Sequence, residues 1–155
     1  MKKILSVVFA IFALSLIPTA TVAQAWDEEQ QAVWKYVAQS WVDDAARNGK
    51  WPSEYIHEDI LSWSANWPAP QRAASIKKWS RFNDESNKTL IYELFPAAIA
   101  VVGDTAVVHY SVVTVTENHE GKRERENQGI METLVRDGKD WKFLGLGGFE
   151  MDSDD

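Results

Sequence analysis

The chain has 155 residues, with 16 lysines and arginines against 23 aspartates and glutamates, eight tryptophans and no cysteine. Without cysteine there is no disulfide, no thiolate nucleophile and no cysteine-held zinc. The formal charge of −7 argues against nucleic acid, whose binding depends on neutralising phosphates with lysine and arginine, and equally against an anionic membrane surface.

Residues 1–25 read as a cleavable secretory signal. Lys2 and Lys3 open it, residues 4–17 are apolar apart from Ser6 and Ser15, and Pro18 ends the run. Ala23-Gln24-Ala25 and Thr21-Val22-Ala23 are alternative small-x-small cleavage sites. As a helix the apolar run reaches only about 20 Å, against about 30 Å of hydrocarbon. No stable membrane insertion is therefore expected after cleavage, and the bacterial style of the segment points to the periplasm or the cell exterior. Losing Lys2 and Lys3 leaves 14 basic residues against 23 acidic ones, a balance of −9. Residues 26–149 are then one domain, large enough for a real core.

Residues 27–46 read as an amphipathic helix. Asp27, Glu28 and Glu29 crowd its first turn, where negative charge suits the helix dipole. Trp34, Val37, Trp41 and Ala45 form an apolar stripe, and Asn48-Gly49 stops the helix. Residues 53–58 are expected as a helical turn before a short strand, 60–64. Pro68 and Pro70 interrupt regular structure, and a second helix follows over about 72–85 with Ile76, Trp79 and Phe82 or Asn83 inward. Strands are then predicted over 89–95, with a break or bulge at Pro96, and over 99–102, 105–117, 122–136 and 141–146. They are joined by turns at Gly103-Asp104, at 118–121 and at Asp137-Gly138. Residues 150–155, mostly acidic, read as a disordered tail. Helices first and antiparallel strands afterwards give an α+β fold with the helices on one face of the sheet.

Three stretches carry a resemblance to a known superfamily. They are the strand-loop-helix region Ile60 to Trp79, the hairpin Val101-Val102-Gly103-Asp104-Thr105-Ala106-Val107-Val108, and the closing Arg136-Asp137-Gly138-Lys139-Asp140-Trp141-Lys142-Phe143. Together they resemble the nuclear transport factor 2-like superfamily, in particular its SnoaL-like and ketosteroid-isomerase-like members. The resemblance implies a cone, in which a curved antiparallel sheet wraps a long N-terminal helix and a pocket opens between them. It also implies pairing of domains through the outer sheet face, so a homodimer is consistent with it. Ketosteroid isomerases work with an aspartate base opposite a tyrosine and a protonated aspartate. Here Trp63-Ser64-Ala65-Asn66-Trp67 offers no carboxylate after the first strand. Leu144-Gly145-Leu146-Gly147-Gly148 likewise lacks the histidines that many relatives carry after the last tryptophan.

Pairing Glu117 with Lys122 would set His109 opposite Ile130 and Val107 opposite Glu132. Val107, His109, Ser111, Gln128, Ile130 and Glu132 would then share the pocket face with Phe143 and Gly145, because side chains alternate along a strand. A one-residue slip would eject the set to the other face. On this register His109 and Glu132 are the candidate catalytic pair, the carboxylate orienting the imidazole for proton transfer. Ser111 and Gln128 complete the polar floor, with Val108, Tyr110, Val112, Met131, Thr133 and Val135 on the outer face. Trp63, Trp67 and Trp79 sit where the resemblance places the pocket mouth, with Glu93 as a further candidate. His57-Glu58-Asp59 cannot converge on one ion from a short turn, so no metal is expected, and no motif calls for a cofactor. The expected function is binding of a small organic ligand, apolar or aromatic. The alternatives are an isomerase, dehydratase or hydrolase using His109 and Glu132, and a homodimeric interaction module.

Overall fold

Asp27 starts the first helix, α1 (Glu28–Ala45), with a reciprocal cap: its carboxylate accepts from the Gln30 amide at 2.8 Å and the Gln30 side chain accepts from the Asp27 amide at 3.0 Å. The computed structural model describes residues 25–64 and 67–151. The expected signal, apart from Ala25, and residues 152–155 of the expected tail lie outside that range. α1 turns Val33, Val37 and Ser40 fully inward, while Trp34 and Trp41 are half-buried along the edge of that face. The buried stripe is thus rotated by about one residue from the tryptophan stripe read in the sequence. Small and branched side chains let the helix approach the sheet, and the indoles flank it.

After α1, Arg47 and Gly49 take left-handed backbone angles and reverse the chain. Strand β1 (Ile56–Ser64) begins four residues earlier than expected and takes in the second half of the predicted turn, while the first half keeps a helical bond, the Ile56 amide donating to the Pro52 carbonyl at 3.1 Å. The Phe143 amide donates to the Tyr55 carbonyl at 2.9 Å, so this segment is held against the last strand. Helix α2 (Ala73–Ser86) buries Ile76, whereas Trp79 and Phe82 stay 43% and 55% exposed, against expectation.

Four long strands follow: β2 (Asn87–Val102), β3 (Thr105–Asn118), β4 (Arg123–Asp137) and β5 (Asp140–Glu150). β2 runs through Pro96, where the pairing with β3 shifts between Pro96 and Ala98. An edge strand tolerates the missing amide there. β5 extends to Glu150, so the first residue of the expected tail is ordered. The sheet order is β1-β5-β4-β3-β2, with β1 parallel to β5 and every other pair antiparallel, so the sheet is mixed where an antiparallel one was expected.

The sheet curves around α1 without closing into a barrel, so the α+β cone expected from the sequence is the fold observed. Its core lies between α1 and the inner sheet face, where Val108, Val112, Leu134 and Phe143 meet Val33, Val37 and Ile60. Burying each such side chain contributes roughly 1.5–3 kcal/mol. The Gln30 amide donates to the Ile99 carbonyl at 2.7 Å, and Arg136 bonds Glu29 at 2.8 Å while lying over the Trp141 ring. Both contacts pin the start of α1 to the sheet.

The register of β3 on β4 differs from the predicted one by a single residue. Glu117 pairs with Arg123, so Val108 faces Glu132, Tyr110 faces Ile130 and His109 faces Met131. The cause is in the turn. Its loop is three residues long, His119 to Gly121, with Gly121 in the left-handed region and the Asn118 side chain accepting from the Glu120 and Lys122 amides. An odd loop in place of an even one reverses which β3 residues face inward. Val108, Tyr110 and Val112 are therefore core residues rather than outer ones, and His109, Ser111 and Val107 turn outward. A shift in the β4–β5 pairing between Thr133 and Leu134 has the same consequence for Gly145, which lies opposite Thr133 on the outer face.

Candidate functional site

Glu132 projects from β4 into the inner face and is only 5% exposed. Tyr110, a near neighbour on the same face, donates its hydroxyl to Glu132 Oε1 at 2.9 Å. The same tyrosine oxygen accepts the indole N–H of Trp41 at 2.8 Å, and Trp34 packs edge-on against the Tyr110 ring. One end of α1 is thereby wired through a phenol to a carboxyl in the sheet. The other carboxyl oxygen, Oε2, is buried and has no hydrogen-bond partner.

Burial pushes the Glu132 pKa up to about 8, with the bond from Tyr110 pulling partly the other way. Burial, and then the charge of Glu132, also raises the Tyr110 phenol far above its ordinary range. At neutral pH both groups hold their protons. Removing a carboxyl from water disfavours its charged form unless a partner compensates, and Oε2 has none.

This carboxyl forms part of the wall of a hollow of about 290 Å³ between the C-terminal half of α1, the end of β1 and the sheet floor. That is near the lower end of the roughly 300–1,000 Å³ of small-molecule sites. Trp41, Trp51 and Trp63 supply flat apolar walls, and Ile130 and Leu146 supply aliphatic floor. Gly148 keeps the floor open: a Cβ there would lie 3.1 Å from Ile130 Cδ1, too close without a shift. A second carboxyl, Asp44, lines the hollow from the last turn of α1. Burial raises its pKa to about 6, Asp84 adds to the rise, and Arg47 offsets part of it.

The sequence-predicted residues separate into three groups. Glu132, Gln128 and Trp63 line the inner hollow, although Trp63 is 59% exposed at its open end. His109 and Ser111 lie on the opposite face, so the proposed imidazole–carboxylate pair does not exist. Trp67, Trp79 and Glu93 line neither hollow: Trp67 and Trp79 pack edge-to-face at 4.8 Å beside α2, and Glu93 is exposed on β2 opposite Val113. Trp63 is tied to this group by its indole N–H, which donates to the Trp67 carbonyl at 3.0 Å.

Tyr110, Trp41 and Asp44 are the site residues that the sequence reading missed. Tyr110 has the same strand parity as Val108 and Val112, a signal obscured by the wrong turn length. Asp44 stands three positions after Trp41 in α1 and so falls on nearly the same helix face.

The outer face carries a larger groove of about 650 Å³, walled by Ala97, His109, Met131, Phe149 and Met151. Phe149 covers Gly129, where any Cβ would clash with its ring. The inner hollow has a titrating carboxyl and the outer groove is mainly apolar. Among the described residues no group of three or more histidine, aspartate and glutamate side chains is placed to hold a metal ion. The chemistry the inner site offers is that of two carboxyls, Asp44 and the more deeply buried Glu132. When neutral Glu132 donates through a proton on Oε2, and when ionised it accepts a hydrogen bond or a proton.

A five-stranded curved sheet around one long helix, with a ligand-sized hollow between them, defines an α+β cone with an internal site. Solved structures identify the fold more closely. The chain is similar to a ketosteroid isomerase-like protein from Erwinia carotovora atroseptica at a TM-score of 0.71, with 10% identity over 83% of this chain and 100% of that one. It is similar to an NTF2-like protein of unknown function in nutrient uptake from Rhodospirillum rubrum, at a TM-score of 0.66 and 16% identity, over 77% and 98% of the two chains. A putative scytalone dehydratase from Novosphingobium aromaticivorans gives a TM-score of 0.67 and 13% identity, over 80% and 85%. No protein-family model and no curated protein matches the sequence. The chain has the nuclear transport factor 2-like fold.

Proposed function

We propose that this chain is an exported small-molecule-binding domain whose site is the inner hollow, with Glu132 at its polar end. One observation carries the reading: a carboxyl oxygen that is buried, unpartnered and set in the wall of an open, ring-lined cavity. Such a group costs about 1–3 kcal/mol in the empty protein, which a ligand able to pair with it would recover. The aromatic walls suit an apolar or aromatic body. Export rests on the charge, length and cleavage pattern of residues 1–25. Intrinsic tryptophan fluorescence against a panel of small organic compounds tests the site, since Trp41 and Trp63 both line it. Saturable quenching that Glu132→Gln weakens supports the reading. A panel with no saturable response overturns it.

A second reading is acid–base catalysis by Glu132 with Tyr110 behind it, in an isomerase or dehydratase. It is favoured by a carboxyl poised near neutrality, the range where proton transfer is most effective. A ketosteroid isomerase-like protein and a putative scytalone dehydratase sharing the fold agree with it. Activity abolished by Glu132→Gln and kept by His109→Gln is the expected pattern.

Self-association through the outer face is a separate proposal. Phe95, Met131 and Phe149 are exposed there, with Ile91 further along β2, and exposed apolar surface of this kind favours cover. Light scattering should give twice the monomer mass, and Met131→Glu should halve it. A monomer in the unaltered protein rejects the proposal.

A further inference from the structure

Several side-chain donors around the inner hollow are already committed. The Tyr110 hydroxyl is committed to Glu132, and the Trp41 N–H to Tyr110. The Ser40 hydroxyl donates to the Val37 carbonyl at 2.7 Å. The Trp63 N–H is bound to the Trp67 carbonyl, and the Gln128 amide nitrogen to Glu126 at 3.0 Å. The Ser62 and Ser64 hydroxyls and the Trp51 N–H remain as neutral donors, and the ionisable capacity is that of two carboxyls, Glu132 with its unpartnered Oε2 and Asp44.

The charge of the lining has one sign. Two carboxyls face the cavity, and no lysine, arginine or histidine does so among the described lining residues. Arg47, which acts on Asp44, is outside that lining. Three indoles and the Tyr110 phenol share the lining with the two carboxyls. An anion entering here would meet the Asp44 carboxylate and find no cationic partner. A hydrocarbon would leave both carboxyls desolvated and unpaired. A cation would satisfy the carboxyls and face the electron-rich rings.

We propose that the ligand of this site is an organic cation, a small protonated amine on an apolar or aromatic body, with its ammonium group seated between Asp44 and Glu132. The proposal rests on the small-molecule-binding reading above and narrows it to one chemical class. Asp44 comes from the end of the helix and Glu132 from the sheet, so the charge is approached from two walls. The body of the ligand lies against Trp41, Trp51 and Trp63, with Ile130 and Leu146 beneath it. Seating a cation favours the ionised form of Glu132, so binding near pH 7 releases a proton.

The test uses a matched series of aryl-alkyl amines, alcohols and carboxylates with one or two rings, titrated by tryptophan fluorescence and calorimetry at pH 7.5. The amines should bind at least about tenfold more tightly than the alcohols, and the carboxylates should not bind. In the Asp44→Asn and Glu132→Gln double variant, the ratio of amine to alcohol affinity should fall to about one. In His109→Gln, on the other face, it should be unchanged. Alcohols binding as well as amines would overturn the cation assignment and leave the pocket reading standing. No binding by any member of the series, to protein whose circular dichroism is that of the folded chain, would overturn both.

Discussion

The two faces of the β3–β4 ribbon set polar and ionisable side chains in opposite surroundings. On the inner face Tyr110 and Glu132 are buried, bonded to each other and wired to α1 through Trp41. On the outer face His109 and Met131 stand directly opposite each other in a largely apolar groove, with Met131 52% exposed. Ionisable chemistry is shifted where water is excluded and a neighbouring element fixes the geometry. His109 stands on the exposed outer face, away from α1. Adjacent residues of one strand, His109 and Tyr110, therefore belong to different surfaces with different capacities.

The largest expected difference between the faces lies in the pH dependence of stability. Folding raises the Glu132 pKa from an ordinary 4.5 to about 8. The native state therefore holds that proton where the unfolded chain has lost it. Its contribution is fully present below about pH 4.5, declines as pH rises, and is gone above about pH 8. The loss is up to about 5 kcal/mol, less whatever water entering the hollow returns. Asp44, raised to about 6, acts in the same direction. Asp43 acts in the opposite one. Bonds from Tyr55 and Asn48 outweigh its burial and hold its carboxyl below the usual range, so its contribution is present above the ordinary aspartate pKa and lost in acid. Glu132→Gln should flatten most of the fall between pH 5 and pH 8 in urea unfolding, and an unchanged slope would contradict the assignment.

Next in size is a comparison of two phenylalanines on β5. Phe143 is fully buried inside and Phe149 is 62% exposed outside. Phe143→Ala should cost about 3–5 kcal/mol of stability. Phe149→Ala should cost less than about 1 kcal/mol in the monomer. Equal losses would mean that the outer face is also covered.

Much of this architecture is legible in the residues themselves. The acidic cap of α1, the turn glycines Gly103 and Gly138, and the apolar alternation of β3 each announce an element by local chemistry. Pro96 announces the bulge in β2 in the same way. What was hidden was parity. Nothing local distinguishes a three-residue loop closed by Gly121 from a four-residue one, yet that choice decides whether His109 or Tyr110 faces α1. Glu132 was assigned to the inner face and is there, because its own strand needed no help from the turn. Trp67 and Trp79 misled for a different reason. Their rings satisfy each other beside α2 rather than turning into the cavity, a tertiary preference that spacing along the chain does not carry.

Smaller effects sharpen the same contrast. Tyr110→Phe removes the donor to Glu132 and the acceptor for Trp41, leaving buried polar atoms unpaired. It should cost about 1–3 kcal/mol and raise the Glu132 pKa further, readable as a titration shift. His109→Gln should change the stability of the monomer by less than about 0.5 kcal/mol and leave fluorescence quenching by a pocket ligand unaltered. A loss of quenching in that variant would place the site on the outer face instead.

The most direct measurement is the titration of the Glu132 side chain itself, followed by carbon NMR of carboxyl-labelled glutamate and assigned by its disappearance in Glu132→Gln. A midpoint near pH 8 is the result expected of a dry, unpartnered carboxyl awaiting a ligand. A midpoint below pH 5 would mean that water already solvates that oxygen, and the inner hollow would lose its claim to be the binding site.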